Sequence, residues 1–301
     1  VDAGGAEPTP RLTRAFDAAD ISDRPFGWNL PNWLLRREIA ARLAELPGVE
    51  FRPGTATVGL TVREDAALVR LASGNDNRIG GAQTVAARLV VAADGRNSPV
   101  RTYAGIGIRR WSYPQTAIVL NFGHARPHGD ISTEFHRRSG PFTQVPLPGQ
   151  RSSLVWVERP ETAQALRSMS IETLSTMVEE RLHSTLGAVS VESGLQAFPL
   201  SGAQALRFAA QRIALVGEAA HVFPPIGAQG PNLGMRDAED IVKAATRHRD
   251  DVGGAAMLAS YEASRKADVT LRTMGVDLLN RSLLADMLPA QVARSAGLGM
   301  L

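Results

Sequence analysis

The sequence predicts an α/β chain of the α+β kind: one discontinuous strand-and-helix domain, an antiparallel sheet inserted into it, and a helical C-terminal segment. Three observations predict it. Two apolar strands far apart in sequence, Ala87–Ala92 and Arg212–Val216, each run into a glycine-bearing turn. Between them lie four β-type runs: Trp111–Phe122, Ser132–Arg137, Phe142–Pro146 and Ser153–Glu158. After them a helical pattern runs from Ala255 to Leu284.

The elements follow in order. Asp17–Asp23 and Pro25–Pro31 read as loop with short strands. Leu35, Ile39, Leu43 and Leu46 recur at helical spacing between charged residues, so Trp33–Leu46 reads as an amphipathic helix stopped by Pro47-Gly48. Val49–Arg52, Thr55–Arg63 and Ala67–Ala72 read as short strands, with Ser73-Gly74-Asn75-Asp76 as a turn. Glu161–Leu186 carries a helical pattern through Leu166, Met169, Leu174, Met177 and Leu182. A helix from about Asn232 to Arg247 follows the second glycine turn. The final helix places Leu258, Tyr261, Leu271, Met274, Leu278 and Leu279 on its apolar side.

Composition excludes several function classes. The 301 residues are 44% hydrophobic and 21% charged, enough for a sizeable core. Lys and Arg number 33 against 30 Asp and Glu, a net charge of +3 with no basic stripe, so nucleic acid is not an expected partner. The chain has no cysteine, which removes disulfides, thiolate metal sites and a cysteine nucleophile. The six histidines show no metal-ligand spacing, and no metal is expected. No apolar run approaches the roughly 18 residues of a membrane span.

The chemistry concentrates in two segments. In Arg212–Asp240 a strand ends at Gly217-Glu218, passes Pro224-Pro225, Gly227 and Gly230, and enters a helix near Asn232. A helix N-terminus behind glycines suits an anionic ligand, because its N–H groups and dipole face the ligand and bare backbone lets it approach. A carboxylate such as Glu218 at the strand end suits sugar or ribityl hydroxyls. In Arg88–Arg101 a second strand runs into Asp94-Gly95. Asp-Gly is also an ordinary turn. Its weight comes from the company of the first segment.

Together these residues resemble the FAD-dependent aromatic-ring monooxygenases of the para-hydroxybenzoate-hydroxylase fold. Asp94 and Gly95 match that family's Asp-Gly element. Gly217, Glu218, His221, Pro225, Gly227, Gln229, Gly230, Asn232, Gly234 and Asp237 match its Gly-Asp element. Arg36, Ile39 and Leu43 match its Arg-x-x-Leu-x-x-x-Leu helix. Phe26–Asn32, the Phe135 to Pro148 strands, and Tyr261, Arg265, Asp268, Gly275, Asp277, Leu279 and Asn280 are most similar to the ubiquinone-biosynthesis hydroxylases.

The resemblance implies FAD held by Arg36, Asp94, Gly95, Gly217, Glu218, Pro225, Gly227, Gln229, Gly230 and Asn232, with Arg36 on the diphosphate side. It implies NAD(P)H as co-substrate and hydroxylation of a phenolic, polyprenylated ring by O2. His221 and Pro225 are the catalytic candidates, with His221 read first as a loop organiser. Residues 1–108 and 206–250 are expected to build a Rossmann-like FAD-binding domain, 109–205 the substrate domain, and 251–301 the C-terminal helices. A cytoplasmic protein is expected, peripheral on the inner face of the membrane, with a homodimer or a biosynthetic complex as further expectations. A flavin-dependent reductase or halogenase on the same fold is the alternative, as is an inactive fragment acting as an assembly subunit. A halogenase should carry a Trp-x-Trp-x-Ile segment, whereas Trp28 and Trp33 stand five apart.

Three departures qualify the match. No Gly-x-Gly-x-x-Gly follows a strand, and Gly105-Ile106-Gly107 lacks the third glycine and the helix. The first βαβ unit is therefore expected upstream of Val1, and FAD binding by residues 1–301 alone is expected to be weak. Glu218 stands where most of the family has Asp. Pro224 and Ala228 replace a His and a Gly common among the ubiquinone enzymes.

Overall fold

The computed structural model describes residues 13–73, 82–224 and 229–284. In chain order it contains α1 (Asn32–Ala44), β1 (Thr55–Val62), β2 (Ala67–Ser73), β3 (Gln83–Ala87), β4 (Val90–Ala92), α2 (Pro99–Tyr103) and β5 (Ile108–His124). Then come β6 (Thr133–Arg137), β7 (Gly140–Leu147), β8 (Arg151–Glu158), α3 (Pro160–Arg167), α4 (Ile171–Arg181) and β9 (Val189–Ala205). The chain continues through β10 (Ala209–Ala210), β11 (Ile213–Leu215), β12 (His221–Val222), α5 (Gln229–Arg247) and α6 (Ala255–Leu284). It divides into two compact units, and each of the long strands β5 and β9 has residues in both.

The first unit takes residues 1–46, 113–200 and 278–301. Its sheet runs β9-β5-β8-β7-β6, and the β5–β8, β8–β7 and β7–β6 pairs are antiparallel. Register puts Phe135, Phe142, Trp156 and Ile118 in one row across the sheet. That row joins Leu166, Leu174, Val178 and Leu182 of the α3–α4 segment in one core.

Two polar side chains of the middle strands, Gln144 and Arg137, turn inward. Gln144 is buried and donates to Ser152 Oγ at 2.9 Å. Arg137 is part-buried and donates to the Arg181 carbonyl.

The second unit takes residues 47–112 and 201–277. It holds the antiparallel β1-β2-β3 meander and a small sheet of order β10-β11-β4. In that small sheet β11 and β4 are parallel, with Ile213 opposite Val90, Ala214 opposite Val91 and Leu215 opposite Ala92. The core around them collects Phe208, Leu233, Ile241, Met257, Leu258, Tyr261 and Val269.

Several expectations need correction. The run Ala87–Ala92 is two strands, because β3 pairs with β2 whereas β4 changes partner to β11. Val49–Arg52 forms no strand. It is cut short by Pro53-Gly54, where Gly54 turns at φ +73°, and Arg52 folds back on Glu50. Glu161–Leu186 is two helices, because Ser170 accepts from the Thr173 N–H and starts α4 afresh. Residues 13–31 form a single short 3₁₀ turn, Ala18–Asp20, and no strand. The helix around Arg36 forms as α1 but buries no residue. On α6 the apolar side divides: Leu258 and Tyr261 are buried, while Leu271, Met274 and Leu278 are exposed. The turn residues 74–76 lie outside the described residues.

Candidate functional site

Parallel pairing makes β4 and β11 end at the same edge of the small sheet. The two glycine turns of the sequence therefore leave side by side. Val216 N–H donates to the Ala92 carbonyl at 2.9 Å, the last rung before the strands part. Gly95 sits at φ +83° and Gly217 at φ +58°, a left-handed backbone that residues with a side chain rarely adopt. Ligands of open α/β sheets bind beyond the carboxyl ends of parallel strands.

Local hydrogen bonds shape the first turn. Asp94 Oδ2 accepts from Val100 N–H at 3.1 Å. Ser98 is fully buried and caps α2 by accepting from Arg101 N–H at 2.9 Å, with Pro99 at the first helical position.

Arg101 then fastens the first turn to the second. It is buried, and its guanidinium donates to the Ala219 carbonyl at 2.7 Å and the Arg96 carbonyl at 3.0 Å. Burial, and then the nearby Arg110 charge, push its pKa below the ordinary value, outweighing Asp94. Arg96 and Glu218 also meet across the turns at 3.3 Å. Both side chains are about half exposed, at 49% and 54%, so this pair adds little stability. Glu218 thus keeps a carboxylate available at the strand end.

A fully buried carboxylate lies beneath the second turn. On α5, Leu233, Asp237, Ile241 and Ala244 share the buried face. Asp237 Oδ2 accepts from Gly217 N–H and from His221 Nε2, each at 2.7 Å. Asp237 Oδ1 accepts from Arg265 Nε of α6, also at 2.7 Å. Arg265 further donates to Asp240 and Asp268. Burial works against the Arg265 charge, but Asp237 and the other two carboxylates hold its pKa above the ordinary value. Tyr261 Oη donates to the Leu215 carbonyl at 2.6 Å. Burial and the Asp237 charge push its ionisation up, out of the ordinary tyrosine range.

The structure brings Asp94, Gly95, Gly217, Glu218 and His221 together within the second unit. His221 is buried between the turn and α5. Gly230 and Asn232 are exposed in the first turn of α5, which opens at Gln229. Pro225 and Gly227 lie outside the described residues, as do Ile226 and Ala228. Arg36 is exposed on α1, in the first unit. Among the described residues no group of His, Cys, Asp and Glu could hold a metal ion.

Arg101, Asp237 and Arg265 were not singled out as site residues. Asp237 left one signal, a lone acid on the apolar face Leu233, Ile241, Ala244. Asp237 and Arg265 also fall in the segments that carry the family resemblance, which assigns neither a role, whereas Arg101 leaves no signal, since a buried arginine looks in sequence like any solvated one.

A cleft of about 790 Å³ also opens in this unit, lined by Arg63, Arg207, Arg212 and Lys266 among others. It adjoins Arg212, at the start of β11, and so lies at the other end of the strands from the glycine turns.

A family profile described as "FAD binding domain" matches residues 18–274. The chain belongs to this FAD-binding family. Ubiquinone hydroxylase UbiL of Rhodospirillum rubrum is 41% identical over 279 residues, covering 91% of this chain and 63% of the relative. The chain therefore spans less than two thirds of that protein's length. The 3-demethoxyubiquinol 3-hydroxylase of Escherichia coli is 30% identical over 287 residues, covering 94% of this chain and 71% of the relative. Among solved structures, p-nitrophenol 4-monooxygenase PnpA of Pseudomonas putida matches with a TM-score of 0.69 at 21% identity. That match covers 89% of this chain and 67% of PnpA, and shows a shared fold. Among the described residues no helix is long and apolar enough to cross a membrane.

Proposed function

We propose that the protein is an FAD-dependent hydroxylase that consumes NAD(P)H and places one oxygen atom of O2 on a phenolic ring, the substrate being a polyprenyl phenol of ubiquinone biosynthesis. The observation that carries this reading is the parallel pairing of β4 and β11, which sets Asp94-Gly95 and Gly217-Glu218 at one strand-end edge. The curated ubiquinone hydroxylases that the chain resembles supply the substrate class.

The residues at that edge fit the cofactor. Nothing lies within 4 Å of where a β-carbon would stand at Gly95, Gly217 or Gly230, so the backbone is open to a ligand there. Asp94 and Glu218 offer exposed carboxylates to ribose or ribityl hydroxyls. The start of α5 offers backbone N–H groups and the positive end of a helix dipole to the electron-rich edge of the ring system. Arg36 is assigned to the diphosphate. Bound FAD supplies the redox chemistry, accepting hydride from NAD(P)H and activating O2. The chain's task is to orient and shield it. Pro224 is buried just before α5 and supplies part of an apolar, water-excluding wall.

Residues 109–205 are assigned to the phenol. The same reading expects a cytoplasmic protein working peripherally at the membrane's inner face, where a polyprenyl phenol resides.

The test mixes the purified protein with FAD, NADPH, ¹⁸O₂ and a demethoxyubiquinol-type phenol. One labelled oxygen atom in the product is expected. A saturated or halogenated product without label, or FAD that NADPH never reduces, refutes the reading.

A further inference from the structure

We propose that Asp237 is the positioning residue of the cofactor edge: it holds the Gly217-Glu218 turn in the geometry that presents the Glu218 carboxylate to a cofactor hydroxyl, with Arg265 as its counter-charge. The inference rests on the functional reading above and adds a residue to it.

Burying a carboxylate costs several kcal/mol unless it is paired and hydrogen-bonded. Asp237 is fully buried, and its neighbours on the α5 face are Leu233, Ile241 and Ala244. A leucine there would serve helix packing without that cost. The carboxylate is used otherwise. It gathers three donors from three places: the Gly217 N–H of the turn, His221 Nε2 of β12 and Arg265 Nε of α6. One of the three is the backbone of the residue directly before Glu218.

Among the described residues Glu218 itself has no buried anchor. It meets Arg96, with distances of 3.3 and 3.5 Å on a half-exposed pair. Its direction is therefore set by the backbone beneath it. That backbone turns at Gly217, whose left-handed φ is +58°. Pinning the Gly217 N–H fixes where the next side chain points. Since the Asp237 oxygens accept, His221 carries its hydrogen on Nε2. Its Nδ1 is buried with no hydrogen-bond partner among the described residues, and the ring packs beside Phe208 and Phe223. His221 is thus spent on holding Asp237 from the side opposite Arg265.

The test is a double-mutant cycle on FAD affinity, read by flavin fluorescence, with Glu218→Gln, Asp237→Asn and the double variant. Each single change is expected to raise the Kd about tenfold, and the double change no more than about tenfold, because residues acting through one contact are not additive. An additive loss of about a hundredfold would mean that Asp237 supports only the fold. An unchanged Kd in Asp237→Asn also overturns the proposal.

The Gly217 amide gives a readout free of FAD: slow hydrogen exchange in the wild type, fast in Asp237→Asn. Rapid exchange in the wild type overturns the proposal. If Asp237→Asn does not fold, Arg265→Lys replaces it, keeping the counter-charge but losing the Nε contact. A raised Kd and faster Gly217 exchange are then expected at an unchanged melting temperature, and neither change appearing overturns the proposal. If wild type and Glu218→Gln bind FAD equally, or neither binds it, the functional reading of Glu218 fails, whereas the Gly217 exchange rate still decides whether Asp237 pins the turn.

Discussion

The Arg101 guanidinium donates to the Ala219 carbonyl at 2.7 Å, joining two turns 118 residues apart in sequence. The same guanidinium reaches the Arg96 carbonyl of its own turn. One buried side chain thus sets the spacing of the Asp94-Gly95 and Gly217-Glu218 turns. Arg101→Met keeps the bulk of the stem but leaves both carbonyls without that donor. It is expected to cost about 2–4 kcal/mol in urea unfolding, because hydrogen bonds to charged groups are strong and an orphaned buried acceptor adds a penalty. Arg101→Lys should recover part of the loss, since an ammonium lacks the planar fork that spans two acceptors. Equal stability of wild type and Arg101→Met would remove this role.

Two glycines should respond very differently to alanine. At Gly253, with φ +91°, a β-carbon would stand 2.1 Å from the Arg88 carbonyl oxygen, a backbone atom that cannot swing away. Gly253→Ala is expected to cost about 3 kcal/mol or more, from strain and overpacking together. At Gly217 nothing lies within 4 Å, so Gly217→Ala meets only the left-handed backbone penalty of about 1–2 kcal/mol. Denaturation midpoints of the two variants should rank in that order.

Tyr261 should stay protonated in alkali. Burial comes first and the Asp237 charge second in raising its ionisation above the ordinary 10.0. An acid whose folded pKa is raised adds stability below the unfolded value and loses it as pH climbs past that value. The window therefore opens above pH 10. Of the three tyrosines, one should ionise in ultraviolet titration only as the protein unfolds. Tyr261→Phe should remove that late step and cost about 1–2 kcal/mol at neutral pH through the lost bond to Leu215.

Glu134 should give the sheet an acid-sensitive contact. Burial raises its pKa, but the His136 ring at 2.7 Å and the Thr143 hydroxyl outweigh burial and hold it below the ordinary 4.5. A depressed carboxylate adds stability above its unfolded pKa and loses it as pH falls through the folded value. The window lies below pH 4.5. Between pH 5 and pH 3 the urea midpoint of the wild type should fall more steeply than that of Glu134→Gln. Parallel slopes would show that the pair contributes nothing.

Much of this arrangement was legible in the chain itself. The two strand-to-glycine junctions could be read because a short apolar run followed by Asp-Gly or Gly-Glu is a local signal. Helix α6 could be read because thirty residues run on with no proline and a single glycine, with Leu258, Tyr261, Leu271, Met274 and Leu278 at helical spacing. The pairing of β3 with β2 and of β4 with β11 could not, since a strand's partner is a long-range choice that leaves no mark on three residues. Strand β9 is hard to read for a related reason: Gly194, Pro199 and Gly202 interrupt its apolar residues, and the buried ones, Val191, Leu200, Ala203 and Ala205, keep no even period. The exposed face of α1 shows the limit of periodicity, which foretells a helix but not whether anything covers it. Arg101, Asp237 and Arg265 owe their roles to burial, and burial of a charge depends on partners that arrive from other elements.

The parallel β4–β11 pair also dictates a timetable for synthesis. Arg96 and Glu218 are 122 residues apart, and everything between them must be made before the turns can meet. At about 5–20 residues per second, the ribosome holds the Asp94 turn without its mate for roughly 6–24 s. During that interval β4 presents unpaired peptide groups to solvent, the condition under which nascent strands find wrong partners. The inserted sheet, with its hairpin-linked β6, β7 and β8, can fold first from neighbours in sequence. The edge that carries Asp94 and Glu218 therefore closes only after strands β6, β7 and β8 have been made.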